Sequence, residues 1–173
     1  ALALTLSLVR RVPRAFESVK NFKWDYQPFI GQQLNRMTVG VIGCGRLGRM
    51  YTNYVSPLAA KVLFTDPGVE TWQCRAKNVY KVEPDELLAE SDIISLHVHV
   101  KDDTFRMVNK DFINKCKKKP HLVNTSRGDI VNEEDVLDAL RSDGLKGYAT
   151  DVLADEFGNL RGSELIWAAR DWD

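Results

Sequence analysis

The chain has 173 residues, with 24 Lys and Arg against 24 Asp and Glu, so it is formally neutral and carries no general surface for nucleic acid or other polyanions. Its hydrophobic fraction of 44% suits one good core and excludes a disordered chain. No apolar run approaches the ~20 residues that span a bilayer. The cysteines Cys44, Cys74 and Cys116 lack the spacing of a metal site and suit reduced thiols in the cytoplasm.

Residues 1–9 are apolar and start without methionine, as expected of a cut end. No basic stretch precedes them and no small-residue cleavage pattern follows before Arg10-Arg11, so they do not read as a signal peptide. Leu2, Leu4, Leu6 and Leu8 alternate as in a strand, whereas the Ala and Leu content and Val9, Val12, Phe16 and Val19 suit a helix; periodicity alone does not choose. Residues 21–30, with Phe22, Trp24, Tyr26 and Phe29, have no clean period. They read as an irregular arm that packs either on another subunit or on its own domain.

The apolar run 37–42 predicts a strand, and Gly43-Cys44-Gly45-Arg46-Leu47-Gly48 follows it directly and opens a predicted helix over residues 46–55, ended by Ser56-Pro57. Gly43 permits the tight turn, Gly45 lets backbone approach a pyrophosphate, and Gly48 lets the helix pack closely on the strand. An anion there meets unpaired N–H groups and the positive helix end. Asp66, 18 residues after Gly48 and at the end of a second predicted strand at 61–65, stands where a ribose-binding carboxylate belongs. Such a carboxylate repels a 2′-phosphate, so NAD is favoured over NADP.

Further strands are predicted at 79–82, 92–98, 121–126 and 147–153. The run 92–98 is nearly continuous in apolar residues, as for a central parallel strand. Helices are predicted from Pro84 to Glu90, from Thr104 to Lys115 with Phe105, Val108, Phe112 and Ile113 buried, and from an Asn132 cap through Val136, Leu137 and Leu140 to a Gly144 C-cap. The run Lys115-Cys116-Lys117-Lys118-Lys119 reads as a solvated helix end. Alternating strands and helices predict an α/β fold, a Rossmann-type doubly wound parallel sheet forming a single nucleotide-binding domain. Ligands then collect at the carboxyl ends of the strands: the glycine turn, Asp66, residues 97–100, Thr125-Ser126-Arg127, and residues 151–156.

Asn124-Thr125-Ser126-Arg127-Gly128-Asp129-Ile130-Val131, with Gly147-Tyr148-Ala149-Thr150-Asp151-Val152-Leu153, the glycine turn and Ile94-Ser95-Leu96-His97-Val98, closely resembles the D-isomer-specific 2-hydroxyacid dehydrogenases. The likeness covers essentially the whole chain and implies the nucleotide-binding domain of an NAD-dependent enzyme that moves hydride to or from a small D-2-hydroxy or 2-oxo acid. It implies one long initial helix and a dimer-forming arm over residues 1–36, a cofactor core over 37–157, and a return toward a substrate domain over 158–173. Arg127 matches the arginine that binds the substrate carboxylate and Glu156 the acidic partner of the catalytic histidine. Cofactor contacts are implied at Gly43, Gly45, Arg46, Leu47, Gly48, Asp66, His97, Val98, Thr125, Ser126, Arg127 and Asp151. The family's Thr-Pro-His type motif is expected beyond Asp173, so His97, His99 and His121 read as structural. Phe157 and His99 stand where the family usually has proline. Two other readings are an NAD(H)-sensing interaction module of the same fold and an unrelated Rossmann enzyme.

Overall fold

A computed structural model describes residues 1–70, 76–154, 156, 158 and 160–171; Cys74 and Phe157 lie outside the described residues. Six strands, β1 (Thr38–Ile42), β2 (Lys61–Thr65), β3 (Val79–Lys81), β4 (Ile93–Leu96), β5 (His121–Asn124) and β6 (Gly147–Thr150), make one sheet. Their order is β3-β2-β1-β4-β5-β6, and every pairing is parallel. The chain leaves β1 for one edge, then crosses back to build the other from β4. The mouth between β1 and β4 is therefore the switch point of the sheet.

Successive strand residues face opposite sides, and the core divides accordingly. Val39, Val41, Val62, Phe64, Ile93 and Val123 share one apolar cluster with Val9 of α1 (Leu2–Val9) and with Tyr51 and Val55 of α3 (Arg46–Val55). Leu63, Ile94, Leu96 and Leu122 share the other, with Leu87 and Leu88 of α4 (Pro84–Glu90), Phe112 and Ile113 of α5 (Lys110–Lys115), and Val136 and Ala139 of α6 (Glu133–Arg141). Both faces are covered, which is why the strands read as continuous apolar runs. A last helix, α7 (Glu164–Asp171), packs on α6.

The expected long initial helix is two helices. Pro13 has no N–H to give the Val9 carbonyl, which instead accepts the Gln32 N–H at 3.0 Å. Arg11 turns left-handed at φ 54°, and the chain restarts as α2 (Val12–Lys20) in a new direction. The two pieces differ in burial: α1 buries Thr5 and Val9, whereas α2 buries nothing.

The expected helix from Thr104 is likewise shorter. Arg106 is left-handed at φ 49° and Val108 makes a parallel bridge to Val131, so the helix starts only at Lys110, where the Asn109 side chain accepts the Phe112 N–H at 3.1 Å. Val108 is buried through that bridge, but Phe105 is about half exposed. Asn132 does cap α6, through the Asp135 N–H at 3.5 Å. At the other end of α6 the left-handed residue is Asp143, not Gly144, whose N–H bonds the Ala139 carbonyl at 2.7 Å. Regular pairing of the last strand stops at Thr150 rather than residue 153.

His121 sits at the opposite end of the sheet from the carboxyl ends, under α1, with its Nδ1 buried and unpartnered. Burial, aided by Lys146 and Arg11 against the pull of Asp92, lowers its pKa to about 4. The folded state therefore takes up this proton at lower pH than the unfolded state does, so the stability it confers is complete above about pH 6.5 and is lost as pH falls toward 4. The urea midpoint is expected to fall less for His121→Gln than for the unmodified chain between about pH 7 and about pH 4.5. Equal falls would show that His121 carries none of the acid sensitivity.

Candidate functional site

At the switch point the glycine turn is held from three sides. Gly43 adopts φ 87° and donates its N–H to the Thr65 carbonyl at 2.9 Å. A Cβ on it would stand 2.6 Å from the His97 carbonyl oxygen. A Cβ on Gly48 would stand 2.0 Å from the Gly43 oxygen, so the first turn of α3 lies directly against the loop before it. These two positions admit no side chain. Gly45 differs: it is the N-cap of α3 in extended geometry, no side chain caps the helix there, and a Cβ on it would meet nothing within 4 Å. The space above Gly45 is open, the helix end beneath it is electropositive, and Arg46 and Leu47 beside it are exposed. That cradle fits a pyrophosphate approaching backbone.

Asp66 is fixed beside the cradle. Its Oδ2 accepts the Cys44 N–H and its Oδ1 the Gly68 N–H, both at 2.8 Å. Each oxygen keeps a lone pair for a hydroxyl. The carboxylate thus braces the glycine turn as well as offering an acceptor. Cys44 itself is fully buried as a small apolar residue.

From the next strand, His97 donates its N–H to the Ile42 carbonyl at 2.8 Å, and its Nε2 lies 2.9 Å from the Ser95 hydroxyl. The imidazole packs 5.0 Å from the Tyr51 ring, and burial lowers its pKa to about 4, so it is neutral at ordinary pH. Val98 presents its carbonyl to the Ser126 hydroxyl, joining the β4 and β5 ends. His99 is exposed on the following loop.

Beyond β5, the fully buried Asn124 accepts the Ser126 N–H at 3.1 Å and donates to the Arg127 carbonyl at 2.9 Å, shaping the loop from inside. Thr125 on that loop is half-buried. Arg127 is exposed, and one guanidinium N–H bonds the Ser126 carbonyl at 2.6 Å; among the described residues it meets no carboxylate, which leaves the rest of its fork for a ligand. A Cβ on Gly128 would stand 2.0 Å from the Leu153 carbonyl carbon, so the Arg127 loop and the loop after β6 are stacked backbone on backbone. Glu133 accepts the Ala154 N–H at 2.9 Å, and Glu156 accepts the Leu153 N–H at 3.2 Å. Asp151 is exposed at the start of the same loop.

The anticipated residues therefore gather at one edge. Three positioning groups were missed: Asn124, Gly128 and Glu133. Asn124 ends an apolar strand and Glu133 follows the Asn132 cap, so both had local explanations that hid their tertiary roles. Among the described residues no His, Cys, Asp and Glu cluster is arranged for a metal ion, and no helix is long and apolar enough to cross a membrane.

Residues 2–170 match the family described as D-isomer specific 2-hydroxyacid dehydrogenase, NAD binding domain. The chain is 37% identical over 170 residues to 2-hydroxyacid dehydrogenase A of Aspergillus oryzae, covering 96% of this chain and 48% of that one. It is 33% identical over 156 residues to D-3-phosphoglycerate dehydrogenase of Synechocystis sp., covering 90% and 28%. The fold superposes on D-lactate dehydrogenase of Aquifex aeolicus, solved with NAD and lactic acid, with a TM-score of 0.84 at 32% identity, over 99% of this chain and 50% of that one. The chain thus spans half or less of the length of these relatives. With the cradle, the anchored Asp66 and the 3-2-1-4-5-6 sheet, the match establishes that this chain belongs to the D-isomer specific 2-hydroxyacid dehydrogenases, NAD-binding domain family, and that its cofactor is NAD.

Proposed function

We propose that the chain is the cofactor half of an oxidoreductase acting on a small D-2-hydroxy or 2-oxo acid. The observation that carries this reading is the open cradle over Gly45 on the same sheet edge as the free fork of Arg127. NAD supplies the hydride carrier; the protein supplies position and electrostatics. The amides at the start of α3, next to Gly45, receive the pyrophosphate, and Asp66 accepts from the adenosine ribose while excluding a 2′-phosphate. His97, Val98, Thr125, Ser126 and Asp151 line the path toward the reacting end. Arg127 grips the substrate carboxylate with two parallel N–H donors and so fixes the face of the 2-oxo carbon. Glu156 orients a histidine and favours its protonated form.

None of the chain's own histidines is placed for that proton. His97 is engaged by Ser95 and Tyr51, His121 is at the far end of the sheet, and His99 is exposed on the loop after β4. The chain alone therefore binds NAD(H) and turns over poorly, with substrate selection and proton transfer supplied from outside residues 1–173. Residues 37–157 form the cofactor unit, 1–36 its helices and arm, and 158–173 the return toward a substrate domain. Val12, Phe16, Trp24 and Tyr26 are more than half exposed and Phe22 fully so, which supports a homodimer through α2 and the arm. The buried thiol of Cys116 suits the cytoplasm.

Two measurements test the cofactor assignment. Gly45→Val is expected to leave the melting temperature near that of the unmodified chain and to raise the Kd for NADH at least about tenfold, ~1.4 kcal/mol. Gly48→Ala, whose Cβ collides with the Gly43 oxygen, instead costs roughly 1–3 kcal/mol of stability. Unchanged NADH binding by the Gly45 variant would remove the cradle from the site.

Fluorescence titration is expected to favour NADH over NADPH, and Asp66→Ala to weaken NADH by about tenfold and level the preference, since a charge-assisted hydrogen bond contributes about 1.5–3 kcal/mol. Equal affinities in the unmodified chain would defeat the role given to Asp66. Robust turnover of any 2-oxo acid by this chain would defeat the division of labour.

A further inference from the structure

A chain of buried polar side chains leads from the first helix to the floor of the crevice. Thr5 on α1, Tyr51 on α3 and Ser95 on β4 are 0%, 4% and 0% exposed. The Thr5 and Tyr51 hydroxyls lie 2.9 Å apart, and the Ser95 hydroxyl lies 2.9 Å from His97 Nε2. Tyr51 closes the circuit, because its hydroxyl is held by Thr5 while its ring packs 5.0 Å from the imidazole.

Donor and acceptor counting gives the chain a direction. Thr5 donates its one hydroxyl proton to the Ala1 carbonyl at 3.1 Å, so it accepts from Tyr51. The Tyr51 ring against the imidazole and the Ser95 hydroxyl at its Nε2 together fix the ring of His97.

What His97 fixes in turn is the crevice. Its carbonyl is the atom a Gly43 side chain would strike at 2.6 Å, its Cβ stands 3.2 Å from where a Gly48 side chain would begin, and the next carbonyl, on Val98, accepts the Ser126 hydroxyl. The glycine turn and the Ser126-Arg127 loop thus rest on the same two residues. We propose that Tyr51, with Thr5 and Ser95, is a positioning residue for the dinucleotide site: it holds His97, and through His97 it couples α1 to the cofactor crevice. The inference rests on NAD(H) binding at this edge.

The test is NADH titration of the 173-residue chain beside its thermal melt. Tyr51→Phe keeps the ring and removes the hydroxyl, and Thr5→Val removes the far end of the chain without approaching the cofactor. Both are expected to raise the Kd for NADH by roughly 3- to 10-fold at a temperature where they remain folded. Thr5→Ser, which restores a hydroxyl, is expected to return the Kd to within twofold. Val55→Ala, buried on the same helix outside the chain, is expected to lower the melting temperature and leave the Kd unchanged. Should Tyr51→Phe fold poorly, the Thr5 pair decides alone. Affinities within twofold in both hydroxyl variants, or an equal loss in Val55→Ala, would overturn the coupling and leave the cofactor assignment standing. No NADH binding by the unmodified chain would overturn both.

Discussion

The close approach of three backbone segments at the mouth of the sheet governs everything built there. Gly43, Gly48 and His97 come so near that a single Cβ at either glycine would overlap a main-chain atom. That contact sets the angle at which α3 leaves the strand, and therefore where its N-terminal amides point. It also fixes the height of the His97–Val98 segment, on which the Ser126 hydroxyl seats the neighbouring loop. Binding in such a site depends on backbone that is already in place, so little ordering entropy is left to be lost when an anion arrives.

The second half of the crevice uses the same device with different chemistry. Gly128 lets the loop after β5 lie against the backbone at Leu153, while Asn124 and Glu133 satisfy the amides and carbonyls that this stacking would otherwise strand. Arg127 and Glu156 ride on those two loops. Arg127 is exposed and Glu156 partly buried, and the segments that carry them are tied from beneath by buried or partly buried polar groups. Side chains carried on braced main chain keep their geometry in water.

How much of this could be read in the chain depended on range. The glycine turn, the acid at Asp66, the sheet class and the Asn132 cap are written in residues a few positions apart, and each follows from local chemistry. The break at Pro13 is also local chemistry, but the one long helix over this stretch is what the family resemblance implies, and periodicity alone does not correct it. The bridge from Val108 to Val131 was hidden for a different reason: it depends on a pairing across the fold, and helical spacing in residues 104–115 describes the same apolar residues equally well. Gly128 belongs to that second class, since the backbone it meets lies after β6 and no local pattern announces it.

The Pro13 break also separates two jobs that one continuous helix would have merged. Because α1 stops at Val9, its apolar residues turn inward and Thr5 reaches Tyr51 within the core. Because α2 departs in a new direction, Val12, Phe16 and Val19 leave that core and face outward together with Phe22 and Trp24. The same local geometry that brings a hydroxyl to the crevice thus leaves an apolar surface outside, and links the two through a single short helix.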